Sequence, residues 1–256
     1  MSRVWRLPAL AVVALLGACV TVSDHPEDIA SPAKRSTIHT ELGASYLMRN
    51  QLDVAKSELE EALRLDSENS AAHNVMGLLQ IRLKDDDKAE QHFRRAISID
   101  PGNSDARNNY GVFLCERGRY DDADQQFQTA LKNPLYKNPE QANVNAGICR
   151  LKKNDKAEAR QYFRAALQTN PNQTAALVHM ARLNLEAGEA LSARGFMQRY
   201  FALGPETPET LLLAFRIERA LGAKDAQATY ALRLRGKFPD SAEAKQLRSL
   251  TGTYKR

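Results

Sequence analysis

Few side chains in this chain are able to do covalent or metal chemistry. There are three cysteines (Cys19, Cys115, Cys149), five histidines (His25, His39, His73, His92, His179) and one acidic run, Asp85-Asp86-Asp87. Nucleophilic catalysis needs a nucleophile beside a base, and phosphate chemistry needs a glycine-rich loop. Neither a phosphate loop nor a Gly-x-Ser-x-Gly turn occurs. His39 and His73 fall 34 residues apart, at one position of a repeating unit, and are expected near each other. Two imidazoles are too few for a metal site. The three aspartates sit where a helix begins, and carboxylates there complement the positive helix end. No enzyme, cofactor, metal or small-molecule substrate is expected.

The elements that position these residues come from a repeat. Gly43, Gly77 and Gly111 are spaced by 34, as are Ala55, Ala89 and Ala123, the trio Leu59, Phe93 and Phe127, and the trio Ala62, Ala96 and Ala130. The pattern resumes at Gly147, Ala159, Phe163, Ala166 and Pro171, then at Ala181, Ala193, Met197 and Pro205. Small residues let two antiparallel helices approach, large apolar ones fill their seam, and proline ends the second helix. A 34-residue period of this kind is the tetratricopeptide signature. The expected fold is all-α: a right-handed superhelix of about six helix-turn-helix repeats, at 36–69, 70–103, 104–137, 140–173, 174–206 and 207–241. The last repeat is degenerate, and residues 242–256 are expected to extend the final helix as a cap and tail. Asn133 to Pro139, NPLYKNP, interrupts the period. It is either a longer turn, a bend dividing the stack, or a partner contact through Leu135 and Tyr136.

In such a stack one face of each first helix packs and another lines a groove. The groove stripe reads Thr40, Ala44, Leu47 and Met48 in the first repeat, and Asn74, Leu78, Ile81 and Arg82 in the second. It continues with Asn108, Val112, Cys115 and Glu116, then Val144, Ile148, Leu151 and Lys152. This is an apolar surface with scattered polar groups, suited to an amphipathic helix or an extended apolar segment of a partner protein. The lysines with which some tetratricopeptide domains hold a peptide carboxylate are missing. Alternatively, solenoid twist buries part of the stripe. Arg182, Glu186, Glu218 and Arg219 make the later repeats more polar.

Cys19 lies outside the repeats. Arg3 and Arg6 precede an apolar run from Leu7 to Gly17, too short to cross a bilayer, and the run closes on Leu16-Gly17-Ala18-Cys19. That order resembles the bacterial lipobox, which implies a signal at 1–18, cleavage, and lipidation of Cys19. Val20 follows where an aspartate would imply inner-membrane retention, so the resemblance implies the inner leaflet of the outer membrane, facing the periplasm. Residues 19–35 are polar, with two prolines, and read as a flexible tether. The formal charge of +5 falls to +3 without Arg3 and Arg6, too mild for a nucleic-acid partner. Cys115 and Cys149 form an even pair in an oxidising compartment. Their repeat positions do not match, although the insertion shifts the register between them. A disulfide and two buried free thiols both fit.

The segment ARNNYGVFLCERGRYDDADQQFQTALKNPLY, followed by NVNAGICRLKKNDKAEARQYFRAAL, resembles the type IV pilus biogenesis lipoproteins of the PilF/PilW family. The resemblance covers nearly the whole chain, from lipobox and tether through six repeats. It implies a disulfide between Cys115 and Cys149. It also implies a pilotin: a scaffold that brings the secretin subunit of the pilus machinery to the outer membrane and promotes its assembly into a ring. The alternative is another periplasm-facing tetratricopeptide lipoprotein, an adaptor for a protease or cell-wall enzyme or an outer-membrane assembly factor.

Overall fold

The computed structural model describes residues 31–251. Among them the regular elements are helices arranged as pairs. The pairs are α1 (Pro32–Met48) with α2 (Leu52–Leu65), α3 (Ser70–Arg82) with α4 (Asp86–Ile99), and α5 (Ser104–Glu116) with α6 (Tyr120–Leu131). They continue with α7 (Pro139–Lys152) and α8 (Lys156–Thr169), α9 (Thr174–Glu186) and α10 (Ala190–Phe201), then α11 (Pro208–Ala220) and α12 (Lys224–Lys237). A last helix, α13 (Ala242–Thr251), stands alone. This is the all-α tetratricopeptide fold that the period predicts.

Each early pair closes on a glycine. A Cβ added at Gly43 would lie 2.6 Å from Leu59, and at Gly77, Gly111 and Gly147 it would lie 2.8, 2.7 and 2.6 Å from the rings of Phe93, Phe127 and Phe163. Glycine inside a helix costs about 1 kcal/mol relative to alanine, and this contact between ring and backbone is what offsets it. Ala55, Ala89, Ala123 and Ala159 are fully buried on the second helices, beside the same seam.

The turn within each pair is the same device six times. One residue takes a left-handed backbone: Asn50, Lys84, Gly118, Asn154, Gly188 and Gly222, with φ between 59° and 79°. The next residue donates its N–H to a carbonyl five residues back, as in Asp85 to Gln80 and Arg119 to Leu114, satisfying helix-end carbonyls in a Schellman closure. The turn between pairs has its own repeated module. Ser36 Oγ donates to the Ala62 carbonyl at 2.8 Å, and Asn69 Nδ2 donates to Ser36 Oγ at 2.8 Å. Asn69 Oδ1 meanwhile accepts from the Ala72 N–H, capping α3. Ser70, Ala96, Asn103 and Ala106 repeat the pattern one unit later. In the third unit, Ser104 and Asn133 make the equivalent contacts.

Two expectations change and one alternative falls away. Helix α1 already begins at Pro32, inside the span 19–35 read as tether, and a proline at the first helical position sacrifices no hydrogen bond. Residues 1–30, with the expected signal and Cys19, and residues 252–256 lie outside the described residues. The C-terminal segment does not extend α12. A turn at Phe238–Ser241 intervenes, Ser241 Oγ accepts from the Ala244 N–H, and α13 packs Ala244 and Leu247 against Leu211, Phe215 and Leu234. The NPLYKNP insertion does not divide the stack. Helices α5 and α7 pack across it, and α6 packs on α7 more extensively than any other second helix packs on the following pair.

The Cys115–Cys149 disulfide bridges α5 and α7 over a Cα separation of 5.7 Å. Beside it, buried Arg150 donates through Nε to Asp124 Oδ1 at 3.2 Å, and Tyr162 donates to the same carboxylate at 2.6 Å. One unit earlier, Glu90 on α4 gathers Tyr110, Arg94 and Arg119 at 2.7 to 2.8 Å. Burial pushes its carboxyl up, but these hydrogen bonds outweigh burial and hold it down at about 2.

Two outcomes test this packing. Gly77→Ala is expected to lower stability by about 1–3 kcal/mol despite its better helix propensity, because the fully buried Phe93 ring must move; an unchanged melting temperature would contradict the close approach. Reduction of Cys115–Cys149, which closes a loop of 34 residues, is expected to cost about 2–4 kcal/mol, read as the difference between melts with and without reductant. Identical melts would deny the bond a stabilising role.

Candidate partner-binding groove

The stack is curved, and its packing shows which side is inner. The first helices α1, α3, α5 and α7 touch one another in succession, and so do α9 and α11. The second helices make no comparable packing on each other. First helices therefore line the inner surface and second helices splay outward.

The structure sorts the stripe read from the sequence into three layers. Thr40, Leu47, Asn74, Asn108, Cys115 and Val144 are buried between helices. Thr40 belongs to the Ser–Asn turn module, donating to the Ser36 carbonyl and accepting from Asn69. Leu47 joins Ala55, Leu59, Met76 and Leu79 in the first core, and Val144 joins Phe163 and Met180 in a later one. A half-buried layer consists of Ala44, Leu78, Val112 and Ile148, one from each of four successive first helices, with Ile81 and Leu151 alongside. Leu78, Ile81, Val112, Ile148 and Leu151 pack against the cores below and keep one side open to solvent. The exposed layer is Met48, 83% accessible, with Arg82, Glu116 and Lys152 at the equivalent rim positions. Lys152 pairs with Glu116 at 2.6 Å, and Arg82 donates to Asn50 at 2.6 Å. The surface available to a partner is thus a narrow apolar row with a charged rim, narrower than the stripe.

An asparagine ladder runs beside the row. Asn109 donates to Asn74 Oδ1 and Asn145 donates to Asn108 Oδ1, both at 3.0 Å. Asn109 and Asn145 were not in the stripe; the pairs Asn108-Asn109 and Asn143-x-Asn145 carried the signal. The row stops after Ile148 and Leu151. At the next two equivalent positions stand exposed Arg182 and Arg216. They border a cavity of about 300 Å³ with Glu186, Glu209 and Glu243.

The residues first considered for chemistry have structural partners. His39 pairs with Glu58 at 2.7 Å. His73 instead meets His92, Nδ1 to Nδ1, at 3.0 Å, and burial, with His73 beside it, pushes the His92 imidazole down to about 4. His179 stacks on Phe163 at 4.7 Å, and burial pushes it down to about 4 as well. Asp85 caps α4 through the Lys88 N–H and pairs with the Lys88 ammonium, and Asp86 binds Arg117. Among the described residues no three His, Cys, Asp or Glu side chains are grouped to hold a metal, and no helix is long and apolar enough to cross a membrane.

Comparison with known proteins follows the same architecture. The tetratricopeptide-repeat family matches residues 40–104 and 114–174, and two further families of that description match 92–125 and 150–214. The type IV pilus assembly protein PilF of Pseudomonas aeruginosa is 30% identical over 93 residues; that stretch is 36% of this chain and spans only 37% of that protein. A solved structure of Pseudomonas aeruginosa PilF superposes with a TM-score of 0.80 at 28% identity, over 86% of this chain and 100% of the other. The structure of PilW, described as a widely conserved type IV pilus biogenesis factor, gives 0.74 at 33% identity, over 83% of this chain and 97% of the other. The chain is a tetratricopeptide-repeat protein and belongs to the family that contains PilF and PilW.

Proposed function

We propose that this chain serves type IV pilus biogenesis as a pilotin. It is a scaffold that performs no chemistry, holds a segment of the secretin subunit in its groove, and is tied through a lipid on Cys19 to the inner leaflet of the outer membrane. The single observation that carries the groove half of this reading is the row Ala44, Leu78, Val112 and Ile148. A half-buried apolar side chain recurs on four successive first helices, on the inner surface, with charge confined to the rim. Such a row accepts the apolar face of a helix or alternate side chains of an extended segment. The likeness to PilF and PilW over most of the chain supports the pilus setting. The resemblance of Leu16-Gly17-Ala18-Cys19 to a lipobox supports the anchor. Joining an anchor and a groove in one chain raises the local concentration of captured subunits at the membrane, so modest affinity at each end suffices.

The experiment that tests the whole reading is deletion of the gene followed by membrane separation. The secretin monomer is expected to leave the outer-membrane fraction and its ring to become scarce; unchanged location and ring abundance would refute the pilotin role. Two variants divide the mechanism. Leu78→Asp and Ile81→Asp place a carboxylate in the half-buried row, and each is expected to weaken secretin capture at least about tenfold while the helical circular-dichroism signal persists. Capture equal to that of the native chain would exclude the second repeat's inner surface. Cys19→Ser is expected to release the protein from the membrane fraction, and undiminished recovery there would count against lipidation.

A further inference from the structure

A second cavity stands apart from the groove. It lies at the far end of the stack, enclosed by α11, α12 and α13, and measures about 850 Å³. Its floor is apolar: Phe215, Ala231 and Leu250. Around that floor stand Arg219 from α11, Lys224 and Arg235 from α12, and Arg248 from α13, and no acidic residue lines the cavity. All four cations are exposed. Their polar contacts are with neutral groups: Arg219 with the Leu250 carbonyl at 3.4 Å, Arg235 with Thr251 Oγ1 at 2.9 Å, and Arg248 with the Pro239 carbonyl at 3.5 Å. Glu218, beside Arg219 in the chain, is committed to Arg194.

Four like charges converging from three helices repel one another and are stabilised by an anion placed among them. Guanidinium forks match carboxylates and phosphates in paired hydrogen bonds. The shape decides between the two. A membrane surface engages cations that protrude from a convex face. Here they ring a recess whose floor is apolar, and the recess has the volume of a ligand pocket. We propose that this cleft is a second protein-binding site, which takes an acidic segment with an apolar side chain on the Phe215–Ala231–Leu250 floor and flanking carboxylates on Arg219, Lys224, Arg235 and Arg248. It is separate from the groove and holds whether or not the groove binds a secretin.

The test is fluorescence anisotropy with the full chain in non-ionic detergent and the labelled peptide Gly-Asp-Glu-Leu-Asp-Glu-Phe-Asp-Gly. The peptide is expected to bind, to lose at least about tenfold in affinity against the double variant Arg219→Gln/Lys224→Gln, and to bind Leu78→Asp as it binds the native chain. Among the described residues neither Arg219 nor Lys224 holds an ion pair, so the double variant is expected to melt with the native chain. Three results would overturn the proposal: equal affinity for the native chain and the double variant, equal affinity for the peptide with its acids replaced by amides, or binding of phosphatidylglycerol vesicles without binding of the peptide.

Discussion

Phe93, Phe127 and Phe163 press against the backbone of the facing helix at Gly77, Gly111 and Gly147, and Leu59 does so at Gly43. Any side chain at those glycines would force the two helices of a pair apart. With the pair held this close, its remaining apolar face has only the neighbouring pair to pack against, and one pair cannot bury its surface alone. Stacking follows, and it is asymmetric: first helices meet while second helices splay. The inner surface that results is a consequence of the glycine contact. Positions that in a flatter array would be buried on both sides stay half open at Ala44, Leu78, Val112 and Ile148.

The polar devices work within that frame and concentrate where the frame is longest. Between the third and fourth repeats the connection runs through NPLYKNP, a place where a solenoid could loosen. The disulfide Cys115–Cys149, the buried Arg150–Asp124–Tyr162 cluster and the Asn145–Asn108 step of the ladder all tie this joint. Desolvation of both charges offsets much of the attraction within the buried ion pair, so its net contribution to stability is small. The continuous inner row crosses this same joint between Val112 and Ile148, so a partner spanning the row needs the joint fixed.

Much of this was legible in the sequence, for a reason that also explains what was not. The glycines, alanines and phenylalanines of the seam are fixed by direct contact, so they recur at 34 and can be read by spacing alone. The Ser36–Asn69 module recurs just as regularly, but serine and asparagine at turns are common and their partners are backbone carbonyls, so spacing did not single them out. His39 and His73 share a repeat position, yet each turned to its own second helix, to Glu58 and His92. Shared register gives neighbourhood, and side-chain direction decides contact. The stripe was read too wide because helix twist sinks Thr40, Leu47 and Val144 into the stack. Pro32 read as tether because proline breaks helix interiors, whereas at a helix start it costs nothing. The cationic cleft was invisible, since Arg219, Lys224, Arg235 and Arg248 follow no period and converge only once α13 folds back on α11 and α12.

The inner row is the proposed place where this scaffold holds its partner. Site-specific photocrosslinking in cells tests that most directly, with a photoreactive residue placed either at Val112, in the row, or at Leu191, exposed on the outer helix α10. The account predicts a crosslinked product with the secretin subunit from Val112 and none from Leu191. Crosslinking from Leu191 with none from Val112 would contradict it.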